Sequence, residues 1–479
     1  MKQSLFTSLI LFISTIGGVT YTNQSSSDTI KKSPNIIVIV SDNQGWNDAG
    51  FNGGKDIPTP HLDQLAADGI IFNAGYASHP YCSPSRAGIL TGRYQQSFGH
   101  ENNTPYQHDD PEAGLPLTET TLAEVLDEND YSTCAVGKWH LGDFRKFWPM
   151  QRGFQEWFGF FGGGLDYWGS VGKHAPDAGV QRNEKIVPQK ELTYLTDDFT
   201  NASIDFIQKQ NEKPFFLYLA YNAPHSPIQA TPEYLAKTDF IEDGTRSAYA
   251  AMVVGMDQGI GKIVKTLKSK KIYDNTLIVF LSDNGGHLNG ASNYPYRGHK
   301  GMLFEGGIRV PFLLNYPAKI KGGATYHHPI SALDIFPTAL AAANVNTVLQ
   351  KQLDGVNLLP YLNNSIKEKP HDLLFWRYSE GAGYAVRKDN WKMVYSGYKQ
   401  DYFLFDLEKD PYEQRNVTKE FPKKLHELKK DYEAWNKTLV PALWQDPHAE
   451  NVLKEESKRK TKLENAAKGF YKKTKLEER

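Results

Sequence analysis

Residues 35–43 read Asn-Ile-Ile-Val-Ile-Val-Ser-Asp-Asn, and residues 276–286 read Thr-Leu-Ile-Val-Phe-Leu-Ser-Asp-Asn-Gly-Gly. Each opens as an unbroken apolar run rich in β-branched residues, the pattern of a strand buried on both faces of a parallel sheet. Each closes on Ser-Asp-Asn. In an open α/β sheet, ligands bind at the carboxyl ends of the strands. Asp42-Asn43 and Asp283-Asn284 therefore point to one shared cation site. Residues 215–221 form another buried run, Ala248 to Ser269 carries apolar residues at helical spacing, and residues 58–69 read as a short helix ended by Gly69. Strands alternating with helices predict an α/β fold with a largely parallel sheet.

Past about residue 365 the texture changes. Leu373–Trp376, Gly383–Arg387, Trp391–Tyr395 and Tyr402–Asp406 read as short strands of a small antiparallel sheet, followed by a helix over Phe421 to Leu439. The last stretch, Asn451 to Arg479, has ten Lys or Arg against five Asp or Glu and reads as a solvated helix or tail. At the other end, Lys2, the apolar run Leu5 to Ile16 and a Gly/Ser-rich stretch read as a secretory signal. The run is too short to span a bilayer, and a retained anchor is the alternative. The predicted organisation is a signal peptide at 1–22, a catalytic domain at 33–365, a C-terminal subdomain at 366–450 and a basic tail at 451–479. The expected location is exported, periplasmic or secreted, with no stable membrane insertion.

Lys plus Arg is 54 and Asp plus Glu is 55, so the chain lacks the basic balance of a nucleic-acid-binding protein. Its two cysteines, Cys82 and Cys134, allow one disulfide, or leave one of them chemically special. Cys82 opens the segment Cys82-Ser83-Pro84-Ser85-Arg86, where a helix is expected to begin and Arg86 to approach residue 82. A thiol nucleophile needs such a neighbour or a helix N-terminus. A plain buried cysteine at a strand–helix junction fits these five residues as well.

The flanking sequence is more specific. Cys82 to Arg93, ending Leu90-Thr91-Gly92-Arg93, resembles the signature of the type I sulfatases, and Gly137-Lys138-Trp139-His140-Leu141-Gly142 resembles a second signature of that family. Gly45-Trp46-Asn47-Asp48 with Thr59-Pro60-His61-Leu62-Asp63 looks most like the arylsulfatase B branch. The resemblance covers most of residues 35–420. It implies an alkaline-phosphatase-like α/β fold, a large mixed or parallel sheet domain with a smaller C-terminal α/β subdomain, and hydrolysis of sulfate esters. It further implies that Cys82 is oxidised to formylglycine (3-oxoalanine) by a formylglycine-generating enzyme during maturation. Asp42, Asn43, Asp283 and Asn284, with residue 82, match the metal positions, and all four side chains offer oxygens suited to one Ca²⁺. Arg86, Lys138, His140, His225 and Lys300 match the polar ring around residue 82. By resemblance, His225 protonates the leaving alcohol and His140 serves the formylglycine hydroxyl.

Each of these residues has a plainer reading. Lys138 and His140 would serve a surface turn, Asp42-Asn43 a helix cap, and Asp283-Asn284-Gly285-Gly286 a simple turn. Their joint order favours the site. One departure stands: the family usually has a second aspartate where this chain has Asn43, which removes one negative charge from the cation site. The aromatic stretch of Phe154, Trp157, Phe158, Phe160, Phe161, Tyr167 and Trp168 reads equally as a sugar-stacking wall or as core. His100, Glu101, Asp166, His174, Asn293 and Arg297 are candidate substrate-selecting neighbours. The expected substrate is a sulfated polysaccharide or oligosaccharide. The rivals are a phosphonate or phosphodiester hydrolase of the same superfamily and a non-catalytic carbohydrate-binding relative.

Overall fold

The computed structural model describes residues 33–105, 110–170, 179–397 and 399–445. The expected signal peptide, the basic tail and His174 lie outside the described residues.

The strands, in chain order, are β1 (Asn35–Ser41), β2 (Ile70–Phe72), β3 (Gly75–Tyr76), β4 (Ser132–Lys138), β5 (Glu156–Phe160), β6 (Gln181–Arg182), β7 (Lys185–Ile186), β8 (Phe215–Ala220), β9 (Thr276–Ser282), β10 (Phe312–Asn315), β11 (Ala324–Tyr326), β12 (Ile330–Ser331), β13 (Leu373–Tyr378), β14 (Gly383–Lys388), β15 (Trp391–Ser396) and β16 (Asp401–Asp406). The α-helices are α1 (Pro60–Ala67), α2 (Cys82–Thr91), α3 (Leu122–Asp127), α4 (Leu195–Lys209), α5 (Pro232–Leu235), α6 (Gly244–Ser269), α7 (Glu305–Ile308), α8 (Ile335–Ala343), α9 (Leu359–Leu362) and α10 (Pro422–Asn436).

β1 lies inside a ten-stranded sheet of order β11-β2-β10-β9-β1-β8-β4-β5-β6-β7. Its centre, β9-β1-β8-β4-β5, is parallel throughout. The sheet is mixed because β10 runs antiparallel to both β9 and β2, and β6 antiparallel to β5. The alternation of side chains along β1 feeds two cores: Ile36, Val38 and Val40 enter one, and Ile37 and Ile39 the other. The first core is shared with α2, α3 and α8, the second with α1, α4 and α6. A strand with no solvated face must be apolar at every position, which is why β1, β8 and β9 are unbroken runs.

β13–β16 form a separate antiparallel sheet. Leu374, Trp376, Val394 and Phe405 turn inward onto Tyr76, Leu303 and Ile308, while Val386, Met393 and Leu404 pack with Leu428 and Tyr432 of α10. A buried ion cluster crosses the same seam. Lys392 Nζ lies 2.7 Å from Glu305 Oε1 and 2.9 Å from Glu413 Oε1, all three fully buried. Glu305 Oε2 accepts from Tyr76 at 2.6 Å and from Arg309 at 3.1 Å. Burial opposes the Glu305 charge, but Lys392, Arg309 and Arg387 hold its carboxyl down to about 2. Among the described residues, no helix is long and apolar enough to cross a membrane. Cys82 and Cys134 are both free and buried, so the disulfide alternative is set aside.

Candidate active site

The site sits where β1, β4, β8 and β9 end, because a parallel sheet brings all its carboxyl ends to one edge. After β1 the chain turns at Asn43, whose φ of +66° lies in the left-handed region that asparagine tolerates better than most residues. That turn is locked to the end of β9: Asp283 donates its N–H to Ser41 O at 3.0 Å, Asn43 N–H reaches Asp283 Oδ1 at 3.1 Å, and Gln44 N–H reaches Ser282 Oγ at 2.9 Å. At the end of β4, Gly137 has φ +104° and lies so close to β8 that a Cβ would stand 1.9 Å from Ala220 O. Only glycine fits there, and the residues after it are swung toward the site. His140 follows with φ +57°. α2 begins at residue 82 itself.

The side chains converge on Cys82. Its Sγ receives Lys300 Nζ at 3.0 Å and lies 3.5 Å from Asp42 Oδ1 and 3.7 Å from Asn43 Oδ1. Lys138 Nζ meets Asp42 Oδ2 at 2.5 Å. Arg86 forks onto Asp283 Oδ2 at 3.0 and 2.8 Å, reaches Asp42 at 3.5 Å and donates to Lys138 O at 3.0 Å. Arg86 comes near enough to residue 82 to feel its charge, as expected, without hydrogen-bonding Sγ. Its guanidinium is spent on the two carboxylates, and Lys300 is the cation that touches Sγ. His225 lies with Asp42 and Cys82, one ligand atom from each within 4.8 Å of the others. Its Nδ1 is 2.6 Å from Ser226 O, which leaves Nε2 for the pocket. His140 is buried, and neither ring nitrogen has a hydrogen-bond partner among the described residues.

Three cations, Arg86, Lys138 and Lys300, thus face two carboxylates, Asp42 and Asp283. Burial pushes the Cys82 thiol up despite Lys138 and Lys300, so the free thiol is a poor thiolate nucleophile. Burial also holds His140 and His225 well below the usual histidine range, reinforced by Lys138 in both cases. Burial opposes the charge of Lys300, but Cys82, Asp42 and Asp283 more than offset it and the lysine keeps its proton.

Asp42, Asn43, Asp283 and Asn284 fit a hard divalent cation. Their oxygens cluster at the two strand ends, and Asn284 Oδ1 is a buried acceptor with no donor among the described residues. Its amide nitrogen meanwhile donates to Asn43 Oδ1 at 2.8 Å. A cation satisfies orphaned oxygens of this kind.

The other candidates are held by specific contacts. Glu101 pairs with Arg377 at 2.5 Å, and Asn293 exchanges two hydrogen bonds with the backbone of Gly286 at 2.8 and 2.9 Å. Arg297 donates to Glu413 O at 3.0 Å and lies over Phe304 at 4.0 Å. Asp166 holds Gln229 at 2.8 Å, and His100 binds Ser83 Oγ at 2.7 Å. The aromatic stretch is core: all of its members are buried except Trp168, which is 40% exposed. Sequence reasoning missed two supports. The Tyr167 hydroxyl donates to Asn222 O at 2.7 Å and His225 O at 3.0 Å, holding the histidine turn. The Glu305–Lys392–Glu413 cluster anchors the segment that carries Lys300. Neither has a local signal, since both depend on partners brought together by the fold.

The profile of the family described as Sulfatase matches residues 34–345, and that described as N-sulphoglucosamine sulphohydrolase, C-terminal, matches residues 297–438. The chain is similar to the N-acetylgalactosamine-6-sulfatase of Mus musculus, 35% identical over 361 residues, covering 70% of this chain and 68% of that protein. Among solved structures it resembles Ps i-CgsB, with TM-score 0.82 and 39% identity over 88% of this chain and 97% of that one. The structure of Ps i-CgsB in complex with k-i-k-neocarrahexaose matches with the same TM-score at 38% identity.

Proposed function

The chain belongs to the sulfatase family and is a sulfuric ester hydrolase; from that premise we propose that it is an exported enzyme that removes sulfate from a sulfated polysaccharide or its oligosaccharides, with residue 82 as formylglycine. The carrying observation is the convergence on residue 82 of Lys300, Asp42 and Asn43, ringed by Lys138, Arg86, His140 and His225. The sugar substrate is supported by the neocarrahexaose bound to Ps i-CgsB and by the amino-sugar named for the mouse relative. Export rests on Lys2 and the run Leu5 to Ile16.

When present, a formylglycine hydrate supplies a hydroxyl nucleophile, and a Ca²⁺ held by Asp42, Asn43, Asp283 and Asn284 draws charge from the sulfuryl oxygens. The chain's own residues do the rest. Lys138 and Lys300 present fixed positive charge where negative charge grows on sulfur's oxygens, in a buried setting where such charge acts strongly. Arg86 aims the two carboxylates by gripping both. His140, neither of whose ring nitrogens has a partner among the described residues, is placed to take the proton of the residue-82 hydroxyl as it attacks sulfur. His225, oriented by its Nδ1 contact to Ser226 O, gives a proton from Nε2 to the leaving alcohol. Burial, with Lys138 and Lys300 after it, keeps His225 neutral before substrate binds, and the ester's negative charge offsets the two cations.

Mass spectrometry of the peptide containing residue 82 is expected to show the aldehyde in active protein, and Cys82→Ala is expected to abolish turnover. A panel of defined sulfated oligosaccharides, assayed beside aryl sulfate and aryl phosphonate esters, tests the substrate. Full activity from the unmodified thiol would overturn the formylglycine reading. Turnover of phosphonate above every sulfate would overturn the sulfate reading, and turnover of small aryl sulfates alone would overturn the sugar.

A further inference from the structure

Residue 82 stands at the first position of α2, yet the residue before it, Tyr81, provides no side-chain cap. An uncapped helix start leaves backbone N–H groups without partners. One cap and one side-chain tether come instead from the loop around residues 99–103. Ser83 N–H donates to Asn103 Oδ1 at 3.2 Å, and Ser83 Oγ pairs with Nε2 of the fully buried His100 at 2.7 Å.

That loop is in turn held by residues 441–445, near the end of the described chain. Leu443 N–H donates to Gly99 O at 2.9 Å. Trp444 Nε1 donates to Asn103 O at 2.8 Å and Asn102 O at 3.2 Å, while Asn102 Nδ2 returns a bond to Trp444 O at 2.8 Å. The indole stands edge-on to the His100 ring at 4.8 Å. Gly99, with φ +78°, lets the two backbones meet, for a Cβ there would fall 2.8 Å from Leu443 Cγ and 2.9 Å from Pro441 O. The far side of the segment is tied down by Ala442 N–H on Glu380 Oε1 at 2.9 Å.

We propose that residues 441–445 are a strap that positions the nucleophile. Trp444 fixes Asn103 and His100, these fix Ser83, and Ser83 fixes the helix start on which residue 82 stands. Trp444, Asn103 and His100 are positioning residues, since none of them touches Cys82 Sγ or the charged ring. The reason for such a device is geometric. Residue 82 must meet Lys300, Asp42 and Asn43 together, and a misplacement of roughly 1 Å can cost about 10²-fold in rate. The inference rests on the reading that chemistry occurs at residue 82.

The test uses the full chain, with formylglycine occupancy measured and matched between variants. Trp444→Ala and Asn103→Ala are expected to lower kcat by roughly tenfold or more with KM within about twofold, on the same geometric argument. Hydrogen exchange is expected to rise at the start of α2 in both variants while β9 keeps its protection. Asn103→Asp retains an acceptor for Ser83 N–H and is expected to restore the lost protection. Unchanged kcat in both alanine variants would overturn the strap, as would reduced kcat with unchanged exchange in α2. If Trp444→Ala does not fold, Asn103→Ala decides alone. If the wild type hydrolyses no sulfate ester, the sulfatase reading fails, and the exchange data still decide whether the strap holds α2.

Discussion

At position 43 an amide stands where the family pattern, by the resemblance drawn from the motifs, has a carboxylate. Asn43 Oδ1 lies 3.7 Å from Cys82 Sγ and accepts from Asn284, so its oxygen faces the site. Asn43→Asp keeps that oxygen and suits the φ of +66°, because aspartate also enters the left-handed region. The added charge is expected to tighten Ca²⁺ binding by at least tenfold, about 1.4 kcal/mol, read by calorimetry. A Ca²⁺ affinity equal to wild type would mean that Asn43 is no ligand. His225 carries the second expectation at this scale. A sugar alcohol is a poor leaving group and needs a proton as the S–O bond breaks, whereas an activated phenol needs it far less. General acid catalysis is worth about 10²–10⁴-fold. His225→Ala is therefore expected to lose roughly that much on a sugar sulfate and much less on an activated aryl sulfate. Equal losses on both would remove the acid role.

Among the elements, the long segment from Asp283 to Phe304 carries Lys300 without regular secondary structure between β9 and α7. It is held by its own bonds, such as Lys300 N–H to Gly286 O at 3.1 Å and Gly301 N–H to Pro80 O at 3.0 Å, and at its end by the seam with the small sheet, where Arg297 donates to Glu413 O and Lys392 sits between Glu305 and Glu413. Lys392→Met removes the cation that Glu305 and Glu413 share, leaving Glu305 with Arg309 alone and Glu413 with no ion pair among the described residues; breaking a buried pair typically costs about 3–5 kcal/mol. Urea unfolding is expected to show a loss of that order, and Lys392→Met with Glu413→Gln is expected to recover part of it. No loss would mean that water reaches the cluster. This seam also marks what the sequence could not disclose. β1 and β9 were legible to the residue because strands buried on both faces must be apolar throughout. The four strands of the small sheet were legible within two residues at their ends from their turns. The antiparallel placement of β10 was not, because its four residues carry no sign of direction. Of the site, the motif residues were legible, and the structure brings Asp42, Asn43, Cys82, Arg86, Lys138, His225, Asp283 and Lys300 together. The roles of Tyr167, Glu305 and Trp444 were not, because each acts through a partner far away in the chain. The aromatic stretch was left open between core and binding wall for a related reason: composition does not separate the two, and here Phe154, Trp157 and Phe161 fill one core while Phe158, Phe160 and Tyr167 fill the other.

Over the whole molecule, a titrating contact far from residue 82 also bears on stability. Asp257, on α6, accepts His61 N–H at 3.1 Å and Leu62 N–H at 2.8 Å at the start of α1, joining the two helices across one core. Burial pushes its carboxyl up to about 7 against those two hydrogen bonds. The folded chain thus holds this proton more tightly than the unfolded chain, whose aspartate titrates near 3.9. The stability it contributes is complete below about pH 4 and is lost as pH rises through about 7. Asp257→Asn keeps an oxygen for both N–H groups and no longer titrates. Thermal melts are expected to place it above wild type at pH 8 and much closer to wild type at pH 5. A gap that does not widen with pH would refute the assignment. The formal net charge is only −1, so the positive charge of Arg86, Lys138 and Lys300 is a local excess inside a nearly neutral envelope. That excess has a cost at the end of each cycle. Free sulfate carries one more negative charge than the ester it came from, so a pocket tuned to the ester grips its own product harder. Accumulating sulfate is expected to brake the enzyme as a competitive inhibitor, with phosphate, its near match in shape and charge, acting the same way.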